Sequence, residues 1–237
     1  MILQFYVYLL IAVTSIYCSE DIIYNGYMKI VNIDENFTQI KCQMKNLEKF
    51  KVPARKLDIK HDVRFKNCKI SKNYKISKIM KNLRINATAL TIENPESLKP
   101  FNLDGLKSLH QLTISKYSGK WHPDLLKDLP NLELLRMDYL DIDSKLPINF
   151  FKYCGKLKKL EILNAYIQKL RKKQFDGLVN LTHLKLNVGF IMEVEDGFAF
   201  DSLTSLESLT ITHQTLYILP ADSFKFNKFE KYSCILR

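Results

Sequence analysis

One six-residue pattern returns five times along this 237-residue chain: Leu109-x-x-Leu112-x-Ile114, Leu132-x-x-Leu135-x-Met137, Leu157-x-x-Leu160-x-Ile162, Leu181-x-x-Leu184-x-Leu186 and Leu206-x-x-Leu209-x-Ile211. The first positions stand 23, 25, 24 and 25 residues apart. A period of that size predicts stacked coils, each too small to bury its own apolar edge and therefore stabilised by its neighbours. Weaker copies, Phe65-x-x-Cys68-x-Ile70, Ala87-x-x-Leu90-x-Ile92 and Phe229-x-x-Tyr232-x-Cys234, extend the array to about eight coils. Within each copy the alternation predicts a short strand with two apolar side chains inward and their neighbours on the outer, concave surface. The second half of a coil carries its own apolar marks, Ile167-x-x-Leu170 before Phe175-x-x-Leu178 and Leu216-x-x-Leu219-Pro220 before Phe224, which predict closure of the core from behind.

The ends read differently. Residues 1–18 hold no charge, contain the apolar run Phe5 to Val13 and are followed by Glu20-Asp21, which predicts a secretory signal peptide. No other stretch has membrane-spanning length, so no stable membrane span is expected. Residues 19–64 are expected to form an N-terminal cap, with a hairpin around the polar turn Asp34-Glu-Asn36, and residues 65–237 the repeats. Secretion implies an oxidising compartment, where Cys42 is expected to meet Cys68. Such a bridge closes a loop of about 26 residues and constrains the unfolded chain by roughly 3 kcal/mol in the entropic picture. Cys154 and Cys234 fall on inward positions, equivalent to Leu178 and Ile211, and read as buried thiols, with an exposed Cys234 pairing to another chain as the alternative. Three sequons, at Asn36, Asn86 and Asn180, predict glycosylation.

From Phe65 to Cys234 the pattern resembles extracellular leucine-rich-repeat proteins, and specifically the repeats of Toll-family receptor ectodomains; Asp176-Gly-Leu-Val-Asn-Leu-Thr-His-Leu-Lys-Leu186 is the best single match. The resemblance implies an α/β fold, a horseshoe solenoid with a parallel concave sheet of about eight short strands, and a non-catalytic role in binding proteins. Three departures qualify it. The site where the family places Asn or Cys to hydrogen-bond the neighbouring backbone is Tyr117, Leu140, Ala165, Gly189 and Gln214 here, so turn amides must find other partners. A cysteine-rich C-terminal cap is not recognisable, which leaves dimerisation through an uncapped end open. Neither a transmembrane segment nor an intracellular signalling domain is expected.

On the concave surface the central coils present Leu134, Arg136, Asp138 and Tyr139, then Lys159, Glu161, Leu163 and Asn164, then His183, Lys185, Asn187 and Val188. Tyr and Arg among isolated apolar residues is the mixture enriched at protein interfaces, so this patch is the expected binding surface for an extracellular protein ligand or receptor. The formal charge of +11 is concentrated between Lys41 and Arg84, where Lys66, Lys69, Lys72, Lys75, Lys78, Lys81 and Arg84 recur every third residue. That spacing drifts around a helix and is expected to follow a coil edge, a basic patch able to attract acidic glycans. Nucleic acid is disfavoured by secretion and by the lack of a recognition motif. The five histidines make no zinc spacing, and neither a nucleophile elbow nor a phosphate loop is present, so no catalysis and no cofactor are expected. The chain thus reads as a secreted protein-binding module of innate immunity or host interaction, such as a soluble Toll-like decoy. Its richness in Lys, Asn, Ile and Tyr is compatible with venom or saliva. The alternative is a matrix or adhesive component that binds acidic glycans through the basic region.

Overall fold

The computed structural model describes residues 22–24, 28–34, 37–42, 62–66, 68, 75–82, 85–139, 146–194, 200–213 and 231–236. The expected signal peptide lies outside them, as do Leu216, Leu219 and Phe224. The strands, in chain order, are β1 (Ile22–Tyr24), β2 (Met28–Asp34), β3 (Phe37–Cys42), β4 (Asp62–Lys66), β5 (Ala89–Glu93), β6 (Gln111–Ser115), β7 (Leu134–Asp138), β8 (Lys159–Leu170), β9 (His183–Val194), β10 (Ser208–His213) and β11 (Lys231–Leu236). They form a single 11-stranded sheet in which each strand lies beside its predecessor. β2 and β3 make the expected hairpin, with Asp34 opposite Phe37. From β3 onward every neighbouring pair is parallel.

The register fixes why the repeat has its period. Leu112 stands beside Leu135, which stands beside Leu160, then Leu184, Leu209 and Tyr232. The second inward column runs Ile92, Ile114, Met137, Ile162, Leu186 and Ile211, with Cys234 next to Ile211 in register. Cys234 therefore sits in line with Ile211, as its spacing predicts. In β5, β6 and β7 the inward positions are buried while the intervening ones retain contact with solvent.

Behind the sheet five of the described coils close by the same pair of linked turns. The N–H of Cys154 donates to Phe151 O and that of Leu157 to Cys154 O. The same bonds recur through Leu103, Leu106 and Leu109, through Leu126, Leu129 and Leu132, through Phe175, Leu178 and Leu181, and through Phe200, Leu203 and Leu206. The buried rings lie one coil behind another. Trp121 meets Tyr117 and Phe150 edge-on at 4.8 and 5.5 Å, Phe151 stacks on Phe175 at 6.2 Å, and Phe175 on Phe200 at 5.5 Å. Gly177 has φ of 96°, and a Cβ there would run into the Phe151 carbonyl and come within 2.7 Å of Lys152 Cα. That glycine lets two successive coils touch backbone to backbone. Cys154 is buried and free, in the place Leu178 takes one coil later, as expected.

The structure corrects three expectations. The first coil is framed five residues earlier than the Phe65-x-x-Cys68-x-Ile70 reading: Val63 pairs with Leu90 and Phe65 with Ile92, so Phe65 is the second inward residue of β4. Its flanks Asp62, Arg64 and Lys66 alternate with the buried Val63 and Phe65, a period-two signal. Second, residues 76–82 form a helix, α1 (Ile76–Asn82), instead of an irregular edge. Ile76, Ile79 and Met80 face the core while Lys78 and Lys81 are exposed. Over two turns a three-residue spacing has not drifted far enough to leave one face. A single helical turn, α2 (Pro100–Leu103), follows β5.

The missing asparagine ladder is replaced from two sources, so the turn amides have other partners as expected. The residue after each of β5, β6 and β7 adopts the left-handed conformation, with φ of 53° at Asn94, 55° at Lys116 and 54° at Tyr139, and Asn164 inside β8 does the same at 49°. The N–H groups of Asn94, Lys116 and Tyr139 then donate to the carbonyls of Ser115, Asp138 and Leu163 one coil further on. At the ladder site itself Tyr117 is buried; its hydroxyl accepts the Leu98 N–H at 3.4 Å and donates to Lys120 O at 3.0 Å. The third correction, the burial of Leu163, belongs to the binding face.

Candidate partner-binding face

β5 and β6 offer Ala89, Thr91, Gln111, Thr113 and Ser115 to the concave surface, small side chains with little to hold a partner. Where they end, charge enters. Glu93, only 15% exposed, lies 3.3 Å from both Lys66 and Lys116, tying β4, β5 and the end of β6 together. Its partial burial opposes ionisation, but the hydrogen bonds and charges of the two lysines outweigh that and hold the carboxyl below its ordinary range.

The central patch is built on β7, β8 and β9. The register sets Arg136 beside Glu161 and Glu161 beside Lys185, with Leu134, Lys159 and His183 in the row below. Arg136 reaches Asp138 at 3.2 Å and Glu161 at 3.7 Å, and Lys159 reaches the other Glu161 oxygen at 2.9 Å. Asn164 donates to Asp138 at 2.8 Å. Burial of the partners is unequal: the carboxylate side chains of Asp138 and Glu161 are 14% and 13% exposed, those of Arg136 and Lys159 42% and 46%. The acids are thus recessed and serve to position the cations, which present their outer faces together with the exposed His183 and Lys185. Tyr139 stands at the rim, 57% exposed, in the left-handed column.

Leu163 does not join this surface. It was expected to be exposed and is 7% exposed. β8 does not stop at the end of the repeat as β5, β6 and β7 do; after a register shift at Asn164 it stays paired with β9 as far as Leu170. Leu163 therefore lies inside a continuing strand, flanked by Asp138 and Asn187. Of the other expected residues, Asn187 is half-buried, and the side chain of Val188 lies outside the described set.

The basic strip is divided. Lys66 is tied to Glu93, and Lys75 to Asp104 while lying 4.6 Å over the Phe101 ring. Lys78 and Lys81 project from α1. Lys69, Lys72 and Arg84 lie outside the described residues, as does Asn36 among the sequons. Asn86 and Asn180 are exposed and occupy the same place, just ahead of the first position of their coils. Sequence reading missed the Lys66–Glu93–Lys116 link, although Glu93 following an alternating strand marks where a charge leaves the sheet. It also missed the ladder role of Tyr117, for which the sequence carries no signal. Among the described residues no group of three or more His, Cys, Asp or Glu side chains is placed to hold a metal, and no helix is long and apolar enough to cross a membrane.

No family model matches the chain. Over 132 residues, 54% of its length, it is 33% identical to the volume-regulated anion channel subunit LRRC8B of Mus musculus and 32% identical to that of Homo sapiens. The chain spans 16% of the length of these relatives. Among solved structures, it superposes on a chain of the Toll–Spatzle complex, described as a molecular hub in Drosophila development and innate immunity. The TM-score is 0.62 and the identity 17%, covering 90% of this chain and 32% of the other. The glycosylated form of that complex gives the same TM-score with 33% of its chain covered. With the register, the linked turns and these likenesses together, the chain is a leucine-rich-repeat solenoid whose fold is shared with the Toll chain of that complex.

Proposed function

We propose that this protein is a secreted, non-catalytic module that captures an extracellular protein on the concave face of β7, β8 and β9. The observation that carries the reading is the asymmetry of that face, with carboxylates recessed beneath exposed cations and an exposed Tyr139 at the rim. A cationic surface with an aromatic anchor suits an acidic protein segment that also offers an apolar contact, since complementary charge steers encounter and a buried aromatic holds the complex. A fold shared with a chain solved in complex with a protein supports this. The innate-immunity setting and the decoy role belong to the same proposal. Secretion follows the apolar leader at residues 1–18. A Cys42–Cys68 bridge at the N-terminal end is supported by the register, which carries Cys42 one step past the Lys41–Lys66 pair, and by Cys68 being bridged instead of free.

The test is capture from extracellular fluid by the purified secreted protein and by the Tyr139→Ala/Arg136→Ala double variant. A protein bound by the wild type should be lost by the variant, with affinity lower by about 30-fold or more, the effect of removing a hot spot worth about 2 kcal/mol. The variant should keep its circular dichroism, because Lys159 still neutralises Glu161 and Asn164 still holds Asp138. Equal capture by both proteins overturns the reading. A second reading, a matrix component retained on acidic glycans, draws on Lys78 and Lys81 projecting from α1. Retention on heparin at physiological salt that survives the double substitution and disappears in Lys78→Ala/Lys81→Ala would favour it.

A further inference from the structure

One flank of the solenoid carries a polar side chain in each coil, at the position just ahead of the first leucine. Four of these side chains reach back to a backbone carbonyl of the preceding coil. Ser108 Oγ donates to Ala87 O at 3.2 Å, Asn131 Nδ2 to Lys107 O at 2.9 Å, Asn180 Nδ2 to Gly155 O at 2.6 Å and Ser205 Oγ to Val179 O at 2.7 Å. Around Asn180 the flank opens into a groove of about 560 Å³. Glu133, Lys156 and Lys158 form one wall, Glu207 stands on the other, and Asn180 and Thr182 lie between them. The space continues beside the acceptor carbonyl, since a Cβ on Gly155 would meet nothing within 4 Å.

We propose that Asn180 carries an N-linked glycan whose core sugars lie in this groove against Lys156, Lys158 and Glu207. The proposal rests on the secreted reading above. Asn180-Leu181-Thr182 has the acceptor sequence, whereas Asn131, in the same column, is followed by Leu132-Glu133 and has no hydroxyl two residues on. In the transfer, the bond from the sugar C1 to a lipid-linked diphosphate breaks, C1 bonds to Asn180 Nδ2, one Nδ2 proton leaves and the lipid diphosphate departs. The second Nδ2 hydrogen stays, so the bond to Gly155 O survives the modification and orients the linkage. Once the chain has folded, the Thr182 hydroxyl donates to Lys158 O at 3.1 Å. The lining suits sugar hydroxyls, which both donate and accept: the ammonium groups donate, and the Glu207 carboxylate accepts. Glu133 is already met by Lys158 at 3.0 Å, and with Glu207 opposite Lys156 the charge of the whole groove is balanced.

The protein is produced in a glycosylating host behind a heterologous secretion leader, so that the chain's own leader is not under test. Peptide mass spectrometry reads the occupancy of Asn180, and amine acylation reads the reactivity of Lys156 and Lys158 against Lys127. Asn180 should be occupied. Lys156 and Lys158 should react several-fold more slowly than in the same protein after enzymatic removal of the glycan, with Lys127 unchanged. Thr182→Ala, which removes the acceptor sequence but keeps Asn180, should match the deglycosylated protein. An unmodified Asn180, or a modified one whose lysines react as fast as without the sugar, overturns the proposal. Failure of the chain's own leader to direct export, tested on a reporter, would remove the secreted reading and leave the groove measurement standing.

Discussion

The two sides of these coils obey different rules. Behind the sheet, the same two turn bonds and the same apolar positions recur from Leu103 to Leu206, and rings from Tyr117 to Phe200 fill the space between them. On the concave side, residues in register change from coil to coil: Thr91, Thr113, Arg136, Glu161, Lys185 and Thr210 form one row. The back is held by packing that each coil must reproduce for its neighbours. The front is held by the backbone, so its side chains can differ from coil to coil and pair locally, as Arg136, Glu161 and Lys159 do.

The contrast can be broken from the back first. Phe175→Ala should lower stability by about 3–5 kcal/mol, because the ring lies between Phe151 and Phe200 and neither neighbour can collapse into the space. A denaturant midpoint close to the wild type would show that the stack is not what joins the coils. Gly177→Ala should cost about 1–3 kcal/mol through its left-handed backbone and its contact with the Phe151 carbonyl. If it proves neutral, the backbones must be able to separate there.

The front predicts smaller effects, which depend on conditions. The carboxyl of Glu93 is depressed in the folded state, so its contribution to stability is present above its ordinary unfolded pKa and is lost as pH falls through the lower folded value. Glu93→Gln should therefore be slightly less stable than wild type at neutral pH and converge with it in acid. Parallel acid profiles of Tm would show that the Lys66–Glu93–Lys116 link does not couple the first coils. The smallest effect concerns Cys154, whose thiol burial pushes up to about 12. It should resist alkylation at pH 8 in the native protein and react on unfolding; labelling at the rate of a free thiol would place it outside the core.

Where packing decides, the chain could be read directly. The columns Leu112 to Leu209 and Ile114 to Ile211, the place of Cys154 and the closing role of Phe175 all follow from spacing, because a buried position tolerates few residue types. The first coil was misframed for the opposite reason. Phe65, Cys68 and Ile70 satisfy the template numerically, whereas the alternation of Val63 and Phe65 with Asp62, Arg64 and Lys66 records which residues face inward. Leu163 misled because its exposure depends on how far β8 remains paired, a property of its neighbour β9 and not of its own repeat. On the binding face, the identity of the residues was legible, but their inequality was not. That Asp138 and Glu161 sit below Arg136 and Lys159 comes from distances across strands about 25 residues apart, which no local pattern encodes.

The left-handed column formed by Asn94, Lys116, Tyr139 and Asn164 is occupied by four residues without a single glycine among them. A backbone that demands this conformation usually selects for the residue that adopts it at least cost. Here each site instead keeps a side chain, and at Asn94, Lys116 and Tyr139 the residue's own amide bonds the next coil whatever that side chain is. The rim is thus a display register in which Tyr139 can be varied while its amide keeps its bond to the next coil, whereas Lys116 and Asn164 also serve Glu93 and Asp138.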